Sequence, residues 1–398
     1  MKPKLAIVIG FLLAVGVIIY VAVGRKDGGG TKPDPKPDPD GSASAPKPQA
    51  PVELTFEYST EKKEWLEAAV VEFEAANPTI DVKLVGKGSL DAADAILAGT
   101  DKPVLWSPAD SLIANLLASD WQTKYAKELY PTSGEAGPQP LLLSPLVFAV
   151  WEDRAKVLVD AASGQLSWKT IHKAVASPKG WPAIGGKPGW GFVKLGHTDP
   201  NRSNSGVQAL MLMALEHFGT QTLTVEQLLD PKFQQFVKEI ELAVPKFEAS
   251  TGTFMTDMIR FGPSKYDIAV VYESLAVSQL ENAQGRWGSL HIYYPPVTIW
   301  SDHPVMILGG DWVTPQQRAA AETLVAFLRS TRVQSTALRF GFRPADPSVP
   351  MKSTDGANPF SKMAQYGLSL ELPPAAQPAD GAVVRNLVMM WSRVVKTR

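Results

Sequence analysis

Two α/β lobes facing each other across a cleft are what this sequence predicts, and three observations carry the prediction. From residue 52 onward, apolar strand patterns alternate with helix-period segments, which calls for sheets covered by helices. That alternation occurs as two separate series, one before and one after the apolar segment Leu146–Trp151. Within the second series, the loop His197-Thr198-Asp199-Pro200-Asn201-Arg202-Ser203-Asn204-Ser205-Gly206 runs straight into the apolar stretch Val207–Leu215. Turn formers and short polar side chains leading into a buried helix mark a helix start, where unpaired N–H groups and a partial positive charge can be capped or can hold a ligand oxygen.

The chain has 398 residues, 45% of them hydrophobic, with a formal net charge of -1. That length accommodates two domains with real cores. The balanced charge, with no basic tract interleaved with aromatics, argues against a nucleic-acid partner. There is no cysteine, which removes disulfides, thiolate metal sites, cysteine nucleophiles and the acylated cysteine of a lipoprotein together.

Lys2 and Lys4 precede an unbroken apolar run, Leu5–Val23, and Arg25 and Lys26 follow it. Its span of roughly 29 Å as a helix matches one bilayer core. Residues 1–23 therefore read as a single-pass signal anchor, with a signal peptide cut near Ala22-Val23-Gly24 as the other reading. Residues 24–51 are Gly, Pro, Asp, Lys and Ser around Lys32-Pro33-Asp34-Pro35. Such a segment has nothing to bury and serves as a disordered, extended spacer. The expected location is the cytoplasmic membrane, held by the N-terminal helix with the body outside, or a secreted protein if the segment is cleaved.

In the body, Val52, Leu54, Phe56 and Tyr58 alternate as a strand. Ser59-Thr60 follows, then a helix with Leu66, Ala69, Val70 and Phe73 on one face, stopped by Asn77-Pro78. Ile80–Val85 is a second strand, Leu90–Leu97 a second helix and Val104–Trp106 a third strand. Ser107-Pro108-Ala109-Asp110 reads as the next helix start, with Ser107 as cap and Pro108 in the first turn. The resulting sheet is expected to be mostly parallel. Leu146–Trp151, Trp190–Lys194, Asp267–Tyr272 and Leu290–Tyr294 are the strands of the second series. Val305–Leu308 and Trp312-Val313 then read as strands, Thr314-Pro315 as a helix start, and Val383–Val395 as the last helix, all expected to return to the first series. Lobe I is thus 52–147 plus 299–398, and lobe II is 148–298.

Catalytic and cofactor motifs fail in turn. The segment at Gly186-Lys187 lacks both the first glycine and the hydroxyl residue of a phosphate-binding loop. No serine stands between glycines as a nucleophile elbow requires. The five histidines show no zinc-site pairing. Glu273, at the end of a strand, reads equally as a ligand group or as one half of a salt bridge. The sequence is therefore read as that of a non-enzyme with no metal and no cofactor.

The local marks Trp106–Ser111, His197–Gly206, Tyr272-Glu273-Ser274, Gly309–Pro315 and Gly341–Pro344 resemble those of bacterial extracellular solute-binding proteins with the type II periplasmic-binding fold. The resemblance covers about residues 52–398. The His197–Gly206 loop is similar to the Asp-Pro loop of molybdate- and sulfate-type binding proteins, although Ser203-Asn204-Ser205 stands where a Pro-x-Gly turn is usual there. The closing marks are similar to the solute-binding part of bacterial surface proteins that also carry a von Willebrand factor type A domain.

The functional expectation is capture of a small polar solute, anionic or oxygen-rich, in the cleft. Ser59, Thr60 and Ser107 would face Ser203, Asn204, Ser205 and Glu273 across it. A membrane permease or a signalling protein is the expected partner. A membrane-tethered adaptor that binds a protein is the alternative, and a cleft hydrolase or transferase a weaker one.

Overall fold

The computed structural model describes residues 51–159 and 164–395. The expected signal segment, and the linker up to residue 50, lie outside the described residues. Among the described residues no helix is long and apolar enough to cross a membrane.

Along the chain, β1 (Val52–Ser59) leads through a single 3-10 turn, Thr60–Lys62, into α1 (Lys63–Ala76), and β2 (Ile80–Lys87) returns beside β1. These two strands pair in parallel, with Val52 opposite Ile80 and Ser59 opposite Lys87. Helix α2 (Ser89–Ala98) connects to β3 (Leu105–Ser107), which pairs in parallel with the other edge of β1. Helix α3 (Ser111–Tyr125) and β4 (Gln139–Pro140) precede the long strand β5 (Leu142–Trp151). Next come β6 (Leu195–Gly196), α4 (Asn204–Phe218), α5 (Pro231–Glu241), α6 (Thr251–Phe261), β7 (Ile268–Tyr272), α7 (Glu273–Ala283), β8 (Leu290–Tyr293) and β9 (Trp300–Ser301). The described chain ends through β10 (Pro304–Ile307), α8 (Pro315–Arg329), β11 (Arg343–Pro344) and α9 (Gly381–Val395).

The strands form two sheets, ordered β2-β1-β3-β10-β4 and β11-β5-β7-β6, with β8 and β9 also pairing along β5. In the first sheet β1, β2 and β3 are parallel as expected and β10 alone is reversed, antiparallel to β3 and β4; in the second, β7, β8, β9 and β11 run antiparallel to β5. The alternation of strand residues fixes what each face buries. Leu146, Phe148 and Val150 enter one apolar cluster, while Val147, Ala149 and Trp151 enter another on the opposite face. In the first sheet Leu105 and Val305 face one cluster, and Trp106 and Met306 the other. Each sheet is therefore covered on both sides, as the composition of its strands requires.

Four local expectations are corrected. Trp190–Lys194 forms no strand. Pro188–Trp190 is a 3-10 turn, Gly191 turns the chain at φ 68°, and Trp190 lies under Arg154, with the guanidinium 3.6 Å from the ring centroid. Trp312-Val313 is a turn before α8, because the indole is drawn inward to donate to Pro103 O at 2.9 Å. Helix α3 begins at Ser111 with Asp110 as its cap, the carboxylate accepting from Leu112 N at 2.7 Å, so Ser107 caps nothing and ends β3 instead. The last helix packs not on the first sheet but with the helices of the second: Val384, Leu387, Met390 and Trp391 join the cluster of Leu210, Met213, Phe236 and Ile240. Its apolar face is wide enough to demand burial, and that cluster would otherwise be open.

Candidate functional site

The ends of β1, β3 and β7, the starts of α4 and α6, and the segment between β9 and β10 meet between the two sheets. What they bring together is polar and buried. Lys62 follows the end of β1 and is fully buried. Its ammonium donates to Ser59 Oγ and to Pro108 O at 3.1 Å, and lies 3.3 Å from His303 Nδ1 and 3.6 Å from Glu61 Oε1. Burial lowers its pKa to about 8, with Glu61 opposing the fall. Burial also works against ionising Glu61, but Lys62, His303 and Ser59 together hold that carboxyl well below its usual range.

His303 is also fully buried, and burial together with the Lys62 charge depresses its pKa, so the ring is neutral at physiological pH. Its backbone has φ 41°, a left-handed conformation that costs a side-chain-bearing residue of order 1 kcal/mol or more. The strain is held by backbone bonds on both sides, His303 N to Ala109 O at 3.1 Å and Leu141 N to His303 O at 3.3 Å. The ring packs edge-on against Tyr272 and Phe342, with centroids 5.6 and 5.3 Å away.

From the second sheet, Asn204 and Gln208 stand one turn apart on the same face of α4. Asn204 Nδ2 donates to Tyr272 Oη at 3.1 Å. Gln208 Nε2 donates to Asp110 Oδ2 at 2.7 Å and to Ser301 Oγ at 2.9 Å, so this side chain ties the helix to the first sheet. Burial, reinforced by the charge of Asp302, pushes the Asp110 carboxyl up to about 7. Burial raises the Tyr272 phenol well above its ordinary value.

Four side-chain atoms in this region are buried without a hydrogen-bond partner: Ser107 Oγ and His303 Nε2 from the first sheet's side, and Asn204 Oδ1 and Gln208 Oε1 from the second's. Buried polar groups are almost always paired, so these four orphans, drawn from both sheets' sides, stand out.

The residues singled out by sequence divide accordingly. Ser107 and Asn204 are among the orphans. Ser59 bonds Glu61 and Lys62 and so orients the buried ammonium. Thr60 Oγ1 accepts from Gly252 N at 3.4 Å across the interface. Ser203 is the cap residue of α4 but makes no side-chain cap bond. Ser205 Oγ is 2.7 Å from both Thr198 Oγ1 and Thr251 Oγ1, and Ser203 Oγ is 3.4 Å from Thr251 Oγ1, so these hydroxyls join the loop to α6. Glu273 lies apart from the orphans. It receives Arg343 through Nε at 2.7 Å and Nη2 at 2.8 Å, as well as the Tyr294 hydroxyl. The salt-bridge reading of this residue is the one its geometry matches. Lys62, Gln208 and His303 were not singled out, and Tyr272 was named only within the mark Tyr272-Glu273-Ser274. Only Gln208 left a legible mark, as a polar residue four positions after Asn204 in an otherwise apolar helix.

At the rim the two sides touch. Arg202 clamps Asp91, with Nη2 2.7 Å from Oδ2 and Nε 3.1 Å from Oδ1, and its carbonyl receives Leu90 N and Asp91 N at 3.3 and 3.4 Å. Gly88 permits this approach, since a Cβ there would lie 2.7 Å from Arg202 O. Outside the rim, a groove of about 570 Å³ is lined by Tyr58, Thr60 and Glu61 on one wall and by Gly252, Thr256 and Ser274 on the other. Among the described residues there is no cluster of His, Asp and Glu placed to hold a metal ion.

Residues 54–343 match the model of the bacterial extracellular solute-binding protein family. The chain belongs to that family. Its fold agrees with solved structures of binding proteins. A periplasmic thiamin binding protein superposes with a TM-score of 0.60 at 13% identity, over 88% of this chain and 98% of that one. The periplasmic binding protein AfuA from Actinobacillus pleuropneumoniae, with fructose-6-phosphate bound, gives 0.56 at 17%, over 87% and 99%. The sulfate-binding protein SubI from Mycobacterium tuberculosis gives 0.54 at 16%, over 86% and 98%. At these identities the likeness is one of fold. No curated relative matches the chain in sequence. Family membership makes this a solute-binding protein rather than an enzyme, with its folded body outside the cytoplasm.

Proposed function

We propose that this solute-binding protein captures a small, polar, oxygen-rich solute between its two sheets, closes over it, and delivers it to a membrane permease or reports it to a signalling partner. The observation that carries the reading is the set of orphaned buried atoms, Ser107 Oγ and His303 Nε2 from one side and Asn204 Oδ1 and Gln208 Oε1 from the other. Closing the two sides with nothing between them costs about 1–3 kcal/mol for each group left unpaired. Opening returns those groups to water. A solute that pairs with them removes the penalty in the closed form alone, so it shifts the population toward closure.

The lobes of this reading meet at two crossings. One is β5, whose residues Leu142–Pro145 pair with β11 and β9 and whose residues Leu146–Val150 pair with β7. The other is the run through β9 to β10. A two-crossing hinge lets one side rotate while both cores stay packed. In the same reading the apolar run Leu5–Val23 tethers the body to the membrane, supported by its bilayer length.

The test is to identify by mass spectrometry what leaves the natively purified protein on denaturation, then titrate that compound into the protein and into Asn204→Ala. The variant should bind about 5- to 30-fold more weakly, the equivalent of about 1–2 kcal/mol. Equal affinity would remove the inter-sheet site as the seat of binding.

A further inference from the structure

The four orphaned atoms of the inter-sheet site constrain the chemical class of what pairs with them, and the first constraint is charge. Lys62 brings a positive charge close to His303, but its three hydrogens are spent. Ser59 Oγ and Pro108 O take two, and the third has His303 Nδ1 at 3.3 Å and Glu61 Oε1 at 3.6 Å within reach. Glu61 balances that charge and receives the Ser59 hydroxyl. Asp110 has both oxygens engaged, Oδ1 by Leu112 N and Oδ2 by the Gln208 amide, and burial with the Asp302 charge pushes its carboxyl up to about 7. Asp302 accepts from the Ser111 N–H at 2.8 Å and from the Ser111 hydroxyl. A charged solute here gives up its water and finds these counter-charges already matched, which is costly.

The second constraint is the sign of each free valence. Gln208 spends its nitrogen on Asp110 and Ser301, and Asn204 spends its nitrogen on Tyr272 while also lowering the Asp110 pKa, as a donor turned toward it does. Reversing either amide would set its oxygen against Asp110, so the two free amide atoms are acceptors. Ser107 Oγ both donates and accepts. His303 Nε2 donates when Nδ1 receives Lys62, and accepts when Nδ1 donates to Glu61 Oε1, 3.2 Å away. An oxyanion carries acceptors alone and leaves both amide oxygens unpaired. An ammonium carries donors alone. A hydroxyl donates and accepts from one atom, so it serves every one of the four, and its oxygen serves the backbone N–H groups at the start of α4 equally well.

Resting on the inter-sheet site proposed above, we infer that its solute is a neutral molecule bearing several hydroxyl groups, a sugar or a polyol, and neither an oxyanion nor an organic cation. Loss of a single pairing hydroxyl then leaves a buried group orphaned again, which is what makes such a site selective.

The experiment titrates the full chain by calorimetry with D-glucose, D-galactose and D-mannitol as neutral probes, sodium sulfate and sodium D-gluconate as anions, and D-glucosamine hydrochloride as the cation. At least one neutral probe should bind saturably, and at least about tenfold more tightly than every charged one. Asn204→Ala, with its fold checked by urea unfolding, should weaken that probe by about 5- to 30-fold. The ranking of probes on the parent protein decides the class, and the variant decides the site. A charged probe that binds as tightly as the best neutral one, or no saturable binding by any neutral probe, would overturn the class and leave the inter-sheet site standing. A neutral probe that binds Asn204→Ala as tightly as the parent would overturn both.

Discussion

Replacing Ser107 by alanine separates two accounts of the same hydroxyl by the sign of its effect. As a helix cap, which the sequence pattern suggests, Ser107 would contribute about 1 kcal/mol, and its loss would destabilise the fold. The structure gives that cap to Asp110 and leaves Ser107 fully buried at the end of β3, opposite Tyr58, with Oγ unpaired. An unpaired buried hydroxyl costs about 1–3 kcal/mol, and removing one oxygen leaves almost no cavity. In an open form the hydroxyl meets water and costs nothing, so Ser107→Ala favours the closed, empty form alone. The closing equilibrium should move by roughly 5- to 150-fold. Because the chain has no cysteine, fluorescent labels on cysteines introduced at Lys63 and Thr256, on opposite walls of the groove, would report the distance directly. Energy transfer in the solute-free variant should rise toward the closed value, with the urea midpoint unchanged or higher. Unchanged transfer, or a loss of stability of about 1 kcal/mol, would refute the reasoning.

Two further outcomes follow from named contacts. The fully buried pair His197 and Glu241, 2.8 Å apart, anchors the loop that carries Ser203–Ser205, with His197 Nδ1 also 2.9 Å from Thr198 O. Burial opposes charge on His197, but Glu241 and Thr198 O raise its pKa above the usual value. The stabilisation is therefore full below the unfolded-state value of about 6.5 and is lost as pH rises through the folded one. Urea unfolding of Glu241→Gln should show about 3 kcal/mol less stability than the parent at pH 6, and the gap should close at higher pH; a pH-independent gap counts against a charged pair. Arg202→Ala removes a half-exposed clamp that spans the rim, so the label pair above should report a closed form weakened by about 0.5–1 kcal/mol, with the parent converging on the variant at high salt; no change would show that the clamp contributes nothing to closure.

Much of the fold was legible in the sequence because strands and helices announce themselves by period. The alternation Val52–Tyr58, the stop at Asn77-Pro78 and the helix start at Thr314-Pro315 appear in the structure as read. What failed was local competition. Asp110 outbids Ser107 as a cap because Pro108 and Ala109 extend the chain before the helix can start. Trp190 and Trp312 look like strand residues, but each has a specific partner that holds it in a turn. The parallel trio β1, β2 and β3 was legible from the alternation of strand and helix, whereas the antiparallel neighbours of β5 were not, since no periodicity distinguishes them. The site was half legible. Short polar residues at strand ends can be found by position. Lys62 and His303 cannot, because a lysine after a strand reads as a surface charge and a histidine before a proline as a turn. Only the meeting of segments 241 residues apart buries them together.

The placement of the last helix bears on how the protein is made. The apolar cluster beside the second sheet is completed by Val384, Leu387, Met390 and Trp391, beyond the stretch shared with the family model. Trp391 sits edge-on to Phe247 at 5.1 Å, and Ser392 bonds Asn201 in the loop before α4. A chain emerging from the ribosome can assemble β1, β2 and β3 early, because their partners are near in sequence. It cannot cover the second cluster until Gly381–Val395 has been synthesised. Until then the nascent chain keeps a large apolar surface exposed and half of its architecture unsettled. For a body that comes to lie outside the cytoplasm, that order leaves this surface uncovered until Gly381–Val395 has been made.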